Sequence, residues 1–357
     1  MSSALLDAIK KLNFNFPGDD HATHLANARA LIAQGVDLEV RDFNGRTALH
    51  AVVKECACGG ESIALANELL DAGARPHNVD DNGMSLLAEL TGAKGSNFDD
   101  PENNALLFEL AKRLAALGAP LDEGKISPLL HALTLNRVEL AWWLLEQGAH
   151  ALGTYVGRDP ITYVASQTRL PVAFIPALQE SGVALEPDAL LVAIKLGHTE
   201  AIDALTDLGL TADPDHVGED GYTFLHAAAE AGDLARVEAF LATRPRKKVI
   251  DAKTTRRKRT ALVLAIAKGH EDVARRLLEA KAKVKGGDAD RYTALHHAAE
   301  ANLADLIPVL LERGAEPDKV NYSRECALFR AAFHGHVEAA RALMGCADFQ
   351  KPRFEQL

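Results

Sequence analysis

A chain of 357 residues, 48% of them hydrophobic, has ample material for a buried core. Its aromatic content of only 5% favours close helix-on-helix packing over a β-sandwich. The formal charge of −11 argues against a general nucleic-acid binder.

Laid on itself in chain order, the sequence shows one unit repeated. A first copy begins at Ser3, with Leu5, Leu6 and Ile9 as an inward apolar stripe, and Thr47-Ala-Leu-His-Ala opens a second. Further copies start at Ser85, Ser127 (Ser-Pro-Leu-Leu-His-Ala), Asp159 and Asp188, the last followed by Gly197-His198. Thr223-Phe-Leu-His-Ala-Ala-Ala comes next. The starts at Thr260, Thr293 and Cys326 then follow at a spacing of 33 residues. Each start predicts a helix–turn–helix. Thr, Ser or Asp can cap free amides, and the Leu and Ala that follow recur at helical spacing. A glycine after the second helix, such as Gly148 or Gly314, permits a left-handed exit. Polar turns such as Asp80-Asp81-Asn82-Gly83 lead to the next copy.

This pattern resembles the ankyrin repeat, whose signature is Thr-Pro-Leu-His-x-Ala in a period of 33, over essentially the whole chain. The resemblance implies an all-α fold, an ankyrin-repeat α-solenoid of about ten helix–turn–helix repeats with short hairpin fingers. It implies a single array over residues 1–357, capped by its first and last copies, with Ser3–Phe16 and Lys351–Leu357 polar outside. In the family, fingers and first helices line a concave binding face. The Ala- and Leu-rich, lysine-poor composition reads as a stand-alone bacterial array.

The spacing departs from the period at the first three intervals, of 44, 38 and 42 residues, and at Asp159 to Asp188, of 29. Gly92–Asn104, with Pro101 and three acids, is expected to be a solvated loop between two helices. Pro176 and Pro308 fall inside predicted second helices, where a kink costing about 3 kcal/mol is expected.

Histidines in the Thr-x-Leu-His slot (His50, His226, His296) and the Gly-His slot (His198, His270, His336) are structural in the family. Equivalent residues in successive repeats stand too far apart to share a zinc ion, and no metal or cofactor is expected. Three groups are candidates for partner binding. The basic run 243–259 holds nine Lys and Arg against Asp251, ending in Arg256, Arg257, Lys258 and Arg259. It suits an acidic protein surface or phosphate, and it also resembles a nuclear-import signal. The finger acids Asp80, Asp81, Asp215, Glu219 and Asp220 suit a basic partner. The finger aromatics Phe43, Tyr155 and Tyr322 suit binding anchors. Trp142 falls in a position the family leaves exposed, and Trp143 in a core slot.

Charge divides the chain. Residues 1–243 carry 16 Lys and Arg against 35 Asp and Glu, a net of −19, and residues 244–357 carry 23 against 15, a net of +8. No stretch reaches the roughly 18 apolar residues of a membrane span, and Met1–Lys11 lacks the apolar core of a signal peptide. Cys56, Cys58, Cys326 and Cys346 show no zinc spacing and read as reduced thiols. A cytoplasmic monomer is expected, and export by a specialised secretion machine would leave no mark in these tests. No phosphate loop, HExxH or Gly-x-Ser-x-Gly elbow is present. The expectation is therefore a non-catalytic adaptor or inhibitor that binds another protein, one with a basic surface fitting the acidic segment. Nucleic-acid or phosphate binding through residues 244–259 is the alternative. A secreted effector acting on a host protein is another. The sequence does not choose among regulator, toxin neutraliser, scaffold and effector.

Overall fold

The computed structural model describes residues 4–12, 20–56, 60–92, 101–123 and 126–345. Ser3, Cys58, Cys346, residues 93–100 of the insertion and the tail Lys351–Leu357 lie outside them. The chain forms two compact units, Met1–Ala184 and Leu185–Leu357.

The first unit pairs Ala4–Lys10 with His21–Ala33, Ala48–Val53 with Gly60–Asp71, and Leu86–Gly92 with Pro101–Ala116. It continues with Pro128–Thr134 and Val138–Glu146, then Pro160–Ala165 and Phe174–Glu180. The second unit pairs Pro187–Leu196 with Thr199–Asp207 and Phe224–Ala231 with Leu234–Ala242. The turn of helix Lys247–Ile250 precedes Ala261–Ala267 with Glu271–Glu279, Ala294–Glu300 with Leu306–Glu312, and Ala327–Phe333 with Val337–Met344. Within the second unit each first helix packs on the next. The same holds in the first unit from Ala4–Lys10 to Pro128–Thr134. Among the described residues, extended pairing is confined to isolated bridges such as Val79 with Ser85 and Val320 with Cys326.

The repeat slots explain these elements. Ser127, Asp159, Thr223 and Thr260 each accept a backbone N–H from the third helical residue, a cap worth about 1 kcal/mol. Two residues on, Leu49, Leu87, Leu129, Ile161, Leu225, Leu262 and Leu295 are all buried. Leu5, Leu6 and Ile9 turn inward as their spacing predicts. Gly148 leaves its helix at φ 81°, the left-handed exit. Arg244 (φ 53°) and Lys281 (φ 64°) occupy the same slot without a glycine, in a conformation that costs a side-chain-bearing residue about 1–2 kcal/mol.

Four expectations need correction. The helix assigned to a start at Asp188 is preceded by Glu186 and opens on Pro187, so Asp188 lies inside its first turn. The insertion turns helical at Pro101, because proline fits a first helical position whose N–H would have no acceptor. Pro176 and Pro308 stand third in their helices, among amides that lack an intrahelical acceptor in any case; the expected interior break does not arise. Trp143 is half-exposed, edge-on to Phe108 at 5.8 Å, while Leu140, Ala141 and Leu144 fill the core. Trp142 stacks on Phe174 of the following pair at 4.3 Å, which favours burial against a neighbour over a free outer face.

Candidate partner-binding surface

Four of the fingers share one turn. The residue five places before the helix-capping residue is Asp42, Asp80, Asp288 or Asn321, and its side chain accepts the backbone N–H four residues on. Its own N–H donates to the same residue's carbonyl, closing the turn. The tips are bonded to one another through the backbone. Asp81 N–H donates to Asn44 O at 3.0 Å, Ala289 N–H to Arg257 O at 2.8 Å, and Tyr322 N–H to Asp290 O at 3.3 Å. Gly45 permits the first of these approaches, since a Cβ there would lie 2.8 Å from the Asp81 backbone nitrogen. Within each unit these fingers are thus linked, so the backbone that carries their side chains is held in place before any partner arrives.

The structure sorts the candidate residues. Phe43 is 87% exposed and Tyr322 70% exposed. The Lys10 ammonium lies 5.5 Å from the Phe43 ring centre, and the Arg291 guanidinium 5.8 Å from that of Tyr322. Tyr155 differs: it is half-buried and edge-on to Tyr163 at 5.4 Å. Asp81, Asp215, Glu219, Arg256, Arg257 and Lys258 are exposed, and Asp220 is half-buried.

Two expected surface residues are engaged inside the fold instead. Asp80 is 4% exposed and accepts the N–H groups of Asn82 and Met84 and the Arg46 Nε–H. Burial alone would raise its carboxyl pKa, but the Met84 amide and Arg46 outweigh that and hold it below the usual range. Arg259 donates from Nε to Asp288 at 3.1 Å. Asp288, almost fully buried, also meets His297 Nε2 at 3.2 Å. Burial opposes its ionisation, yet His297, the Tyr292 amide and Arg259 bring its pKa down to about 2. Arg46 and Arg259 each stand just before a capping threonine and reach the anchoring Asp of the next finger, so both pairs are brackets between fingers. This register also bears on the import-signal resemblance. Arg259 is bound to Asp288, and the backbone of Thr254, Thr255 and Arg257 is hydrogen-bonded, so the run is not a free extended peptide.

Behind the fingers lie residues that the sequence reading missed. Tyr222 and Tyr292 precede the capping threonines, and Glu230 and Glu300 lie eight residues further on. The Tyr222 hydroxyl donates to Glu230 at 3.0 Å. Lys195 sits 4.0 Å over the Tyr222 ring, and Arg330 5.6 Å over that of Tyr292. The Tyr-Thr…Glu spacing was visible in both copies and is the signal that could have found them.

The histidines act as internal brackets. His50, His226 and His296 each accept the N–H of the capping threonine on Nδ1, at 3.3, 3.2 and 3.1 Å. His226 and His296 donate from Nε2 to the carbonyls of Ala252 and Glu325 on the next finger. His270 and His336 bond to the carbonyls of Glu230 and Ala299 in the preceding repeat. Among the described residues, no group of three or more His, Cys, Asp or Glu is placed to hold a metal ion.

A family model of ankyrin repeats in three copies matches residues 190–288, 237–321 and 285–353. A segment of 160 residues, 44% of the chain, is 31% identical to the ankyrin repeat and KH domain-containing protein mask-1 of Caenorhabditis elegans, covering 6% of that protein. A 98-residue segment, 28% of the chain, is 33% identical to protein fem-1 homolog A-like of Mus musculus, covering 14% of it. A 123-residue segment, 34% of the chain, is 33% identical to neurogenic locus notch homolog protein 1 of Mus musculus, covering 4% of it. The chain thus spans a small part of the length of each of these relatives. The family match and the stacked, Thr-capped helix pairs with linked fingers lead to one assignment: the chain is an ankyrin-repeat protein.

Proposed function

We propose that the chain is a non-catalytic protein-binding module, an adaptor or inhibitor that holds its partner on the fingers and the first helices behind them. The observation that carries this reading is the exposure of Phe43 and Tyr322 on fingers that the backbone links to their neighbours. Large aromatic side chains on a preorganised surface are efficient anchors, because little freedom is lost when they bind. The exposed acids Asp81, Asp215 and Glu219 extend this surface, and they suit a partner with a basic face. We place the module in the cytoplasm as a monomer, in a single array; among the described residues no helix is long and apolar enough to cross a membrane. Nucleic-acid binding is less well supported, since Arg259 is bound to Asp288 and a net charge of −11 repels a long polyanion.

The test is affinity capture from lysate of the source cells, with and without nuclease, followed by gel filtration of the captured complex. The expected result is one protein that co-elutes stoichiometrically with the chain, is unaffected by nuclease, and is retained at least about tenfold less by the Phe43→Ala/Tyr322→Ala variant. Retention that disappears with nuclease and ignores the aromatic variant would replace this reading with a nucleic-acid one.

A further inference from the structure

We propose that the cleft at the foot of the 244–259 finger is a docking site for an acidic peptide segment of a partner protein, with Lys195, Arg256 and Arg257 receiving its carboxylates. The inference rests on the protein-binding reading and names the chemistry of the partner.

The cleft, of about 320 Å³, lies within the second unit. Tyr222 forms part of its wall. Burial and the adjacent Glu230 carboxylate raise the Tyr222 phenol well above its ordinary range, so the hydroxyl stays protonated at neutral pH and donates to Glu230. Lys268 stands 3.5 Å from the same carboxylate. Glu230 is therefore already matched twice. Asp220, the other acid of the cleft, faces Arg256 at 3.8 Å, with Arg256 81% exposed, a loose pair that solvent screens.

The cations are not matched in return. Arg259 is taken by Asp288. Lys195 projects from the first helix Pro187–Leu196, half-buried, and its ammonium lies over the Tyr222 ring with no carboxylate in ion-pair range among the described residues. The guanidinium of Arg257 likewise has no ion-pair partner there, while the bond from Ala289 N–H to its carbonyl fixes its backbone. Five cations thus line a cleft with two carboxylates, in a protein of net charge −11.

A second cleft in the same unit, of about 410 Å³, supplies the comparison. It is built alike, with Tyr292 and Glu300 in the places of Tyr222 and Glu230. It shares Arg257 and Arg259 with the first cleft and adds the carboxylates of Asp290 and Glu300, and Arg330 pairs with both Glu300 and Glu325. The two cations of these clefts without an ion-pair partner among the described residues, Lys195 and Arg257, thus both line the first cleft. Carboxylates delivered by a ligand would satisfy both through charge-assisted hydrogen bonds. A short acidic segment suits the surroundings better than a nucleic-acid backbone, because Asp213, Asp215 and Glu219 precede the cleft in the chain and Asp290 follows it; a long polyanion would meet their repulsion.

The test is fluorescence anisotropy of a labelled glutamate peptide with the full chain at low salt, with a glutamine peptide and a thymidine oligonucleotide of matched charge as competitors. The glutamate peptide should bind and should not be displaced by the glutamine peptide. Arg256→Ser/Arg257→Ser should weaken binding about tenfold and Lys195→Gln about threefold. Lys247→Ser/Lys248→Ser removes the same charge from an exposed helical turn outside the cleft, and should change binding less than about twofold. Equal weakening by the two double variants, or an oligonucleotide that outcompetes the peptide, would overturn the proposal. If the peptide fails to bind while the captured partner is retained equally by wild type and Arg256→Ser/Arg257→Ser, the inference falls and the protein-binding reading stands. A peptide that binds as stated, with no partner captured, reverses that outcome.

Discussion

At the scale of single residues, the histidines after the capping threonines set the acid limit of the fold. Burial lowers the pKa of His50 to about 4 and also depresses His226 and His296. Nδ1 accepts a backbone N–H in each, so the native state holds the neutral ring. A native pKa below the unfolded value of about 6.5 means that the unfolded chain takes up protons the native chain refuses. The stabilisation is complete above about pH 6.5 and is lost as pH falls towards 4; His50 alone accounts for roughly 3 kcal/mol over that window. Urea unfolding should accordingly show a midpoint that falls steadily from about pH 7 to about pH 4.5. A flat or rising midpoint over that range would show that these rings are not held neutral. The buried finger acids act in a lower window. Asp288, with a pKa near 2, protects the fold above the ordinary carboxylate range and fails it only in stronger acid. The Thr-x-Leu-His slot was legible in the sequence because cap, core leucine and ring fall at fixed offsets. Arg244 and Lys281 were not legible as helix exits, because nothing in their side chains favours the left-handed backbone they adopt.

At the scale of the element, the fingers of Asp80 and Asp288 are each fixed by that Asp within the turn and by an arginine from the preceding finger. Arg259→Ala would leave the buried Asp288 carboxylate with its backbone amides and His297 alone, and Arg46→Ala would leave Asp80 with Asn82 and the Met84 amide. A lost bond to a buried charge costs about 1.5–3 kcal/mol, and each variant should unfold correspondingly earlier in urea. Arg256→Ala, four-fifths exposed and 3.8 Å from Asp220, should change stability by no more than about 0.5 kcal/mol. Equal effects of Arg259→Ala and Arg256→Ala would refute the bracket. This difference is also where sequence reading ran out. Four consecutive basic residues look alike as a run, and Asp80 looks like Asp81. The register of the turn decides which side chain points back. The rule now visible, an arginine just before the capping threonine and an Asp five residues before the next cap, separates Arg259 and Asp80 from their neighbours. Helix starts at Thr47, Ser127, Asp159, Thr223 and Thr260 were legible because their caps are chemical. The start at Glu186 was missed because its side chain makes no cap bond and the signal is carried by Pro187.

At the scale of the whole molecule, the linked fingers present aromatic, acidic and basic side chains without drawing on the buried core. The acidic excess of residues 1–243 and the basic excess of residues 244–357 give a partner opposite charges to read along one chain. Such fields steer encounter and select orientation more than they add affinity. The central claim is that the partner is held on the fingers and first helices, and amide hydrogen exchange of the chain alone and in the captured complex tests it most directly. Added protection is expected in the finger peptides around Phe43, Asp81, Arg256–Lys258 and Tyr322 and in the first helices behind them, with the second helices unchanged. Protection confined to second helices such as Val138–Glu146 and Glu271–Glu279, with the finger peptides exchanging as in the free chain, would contradict it.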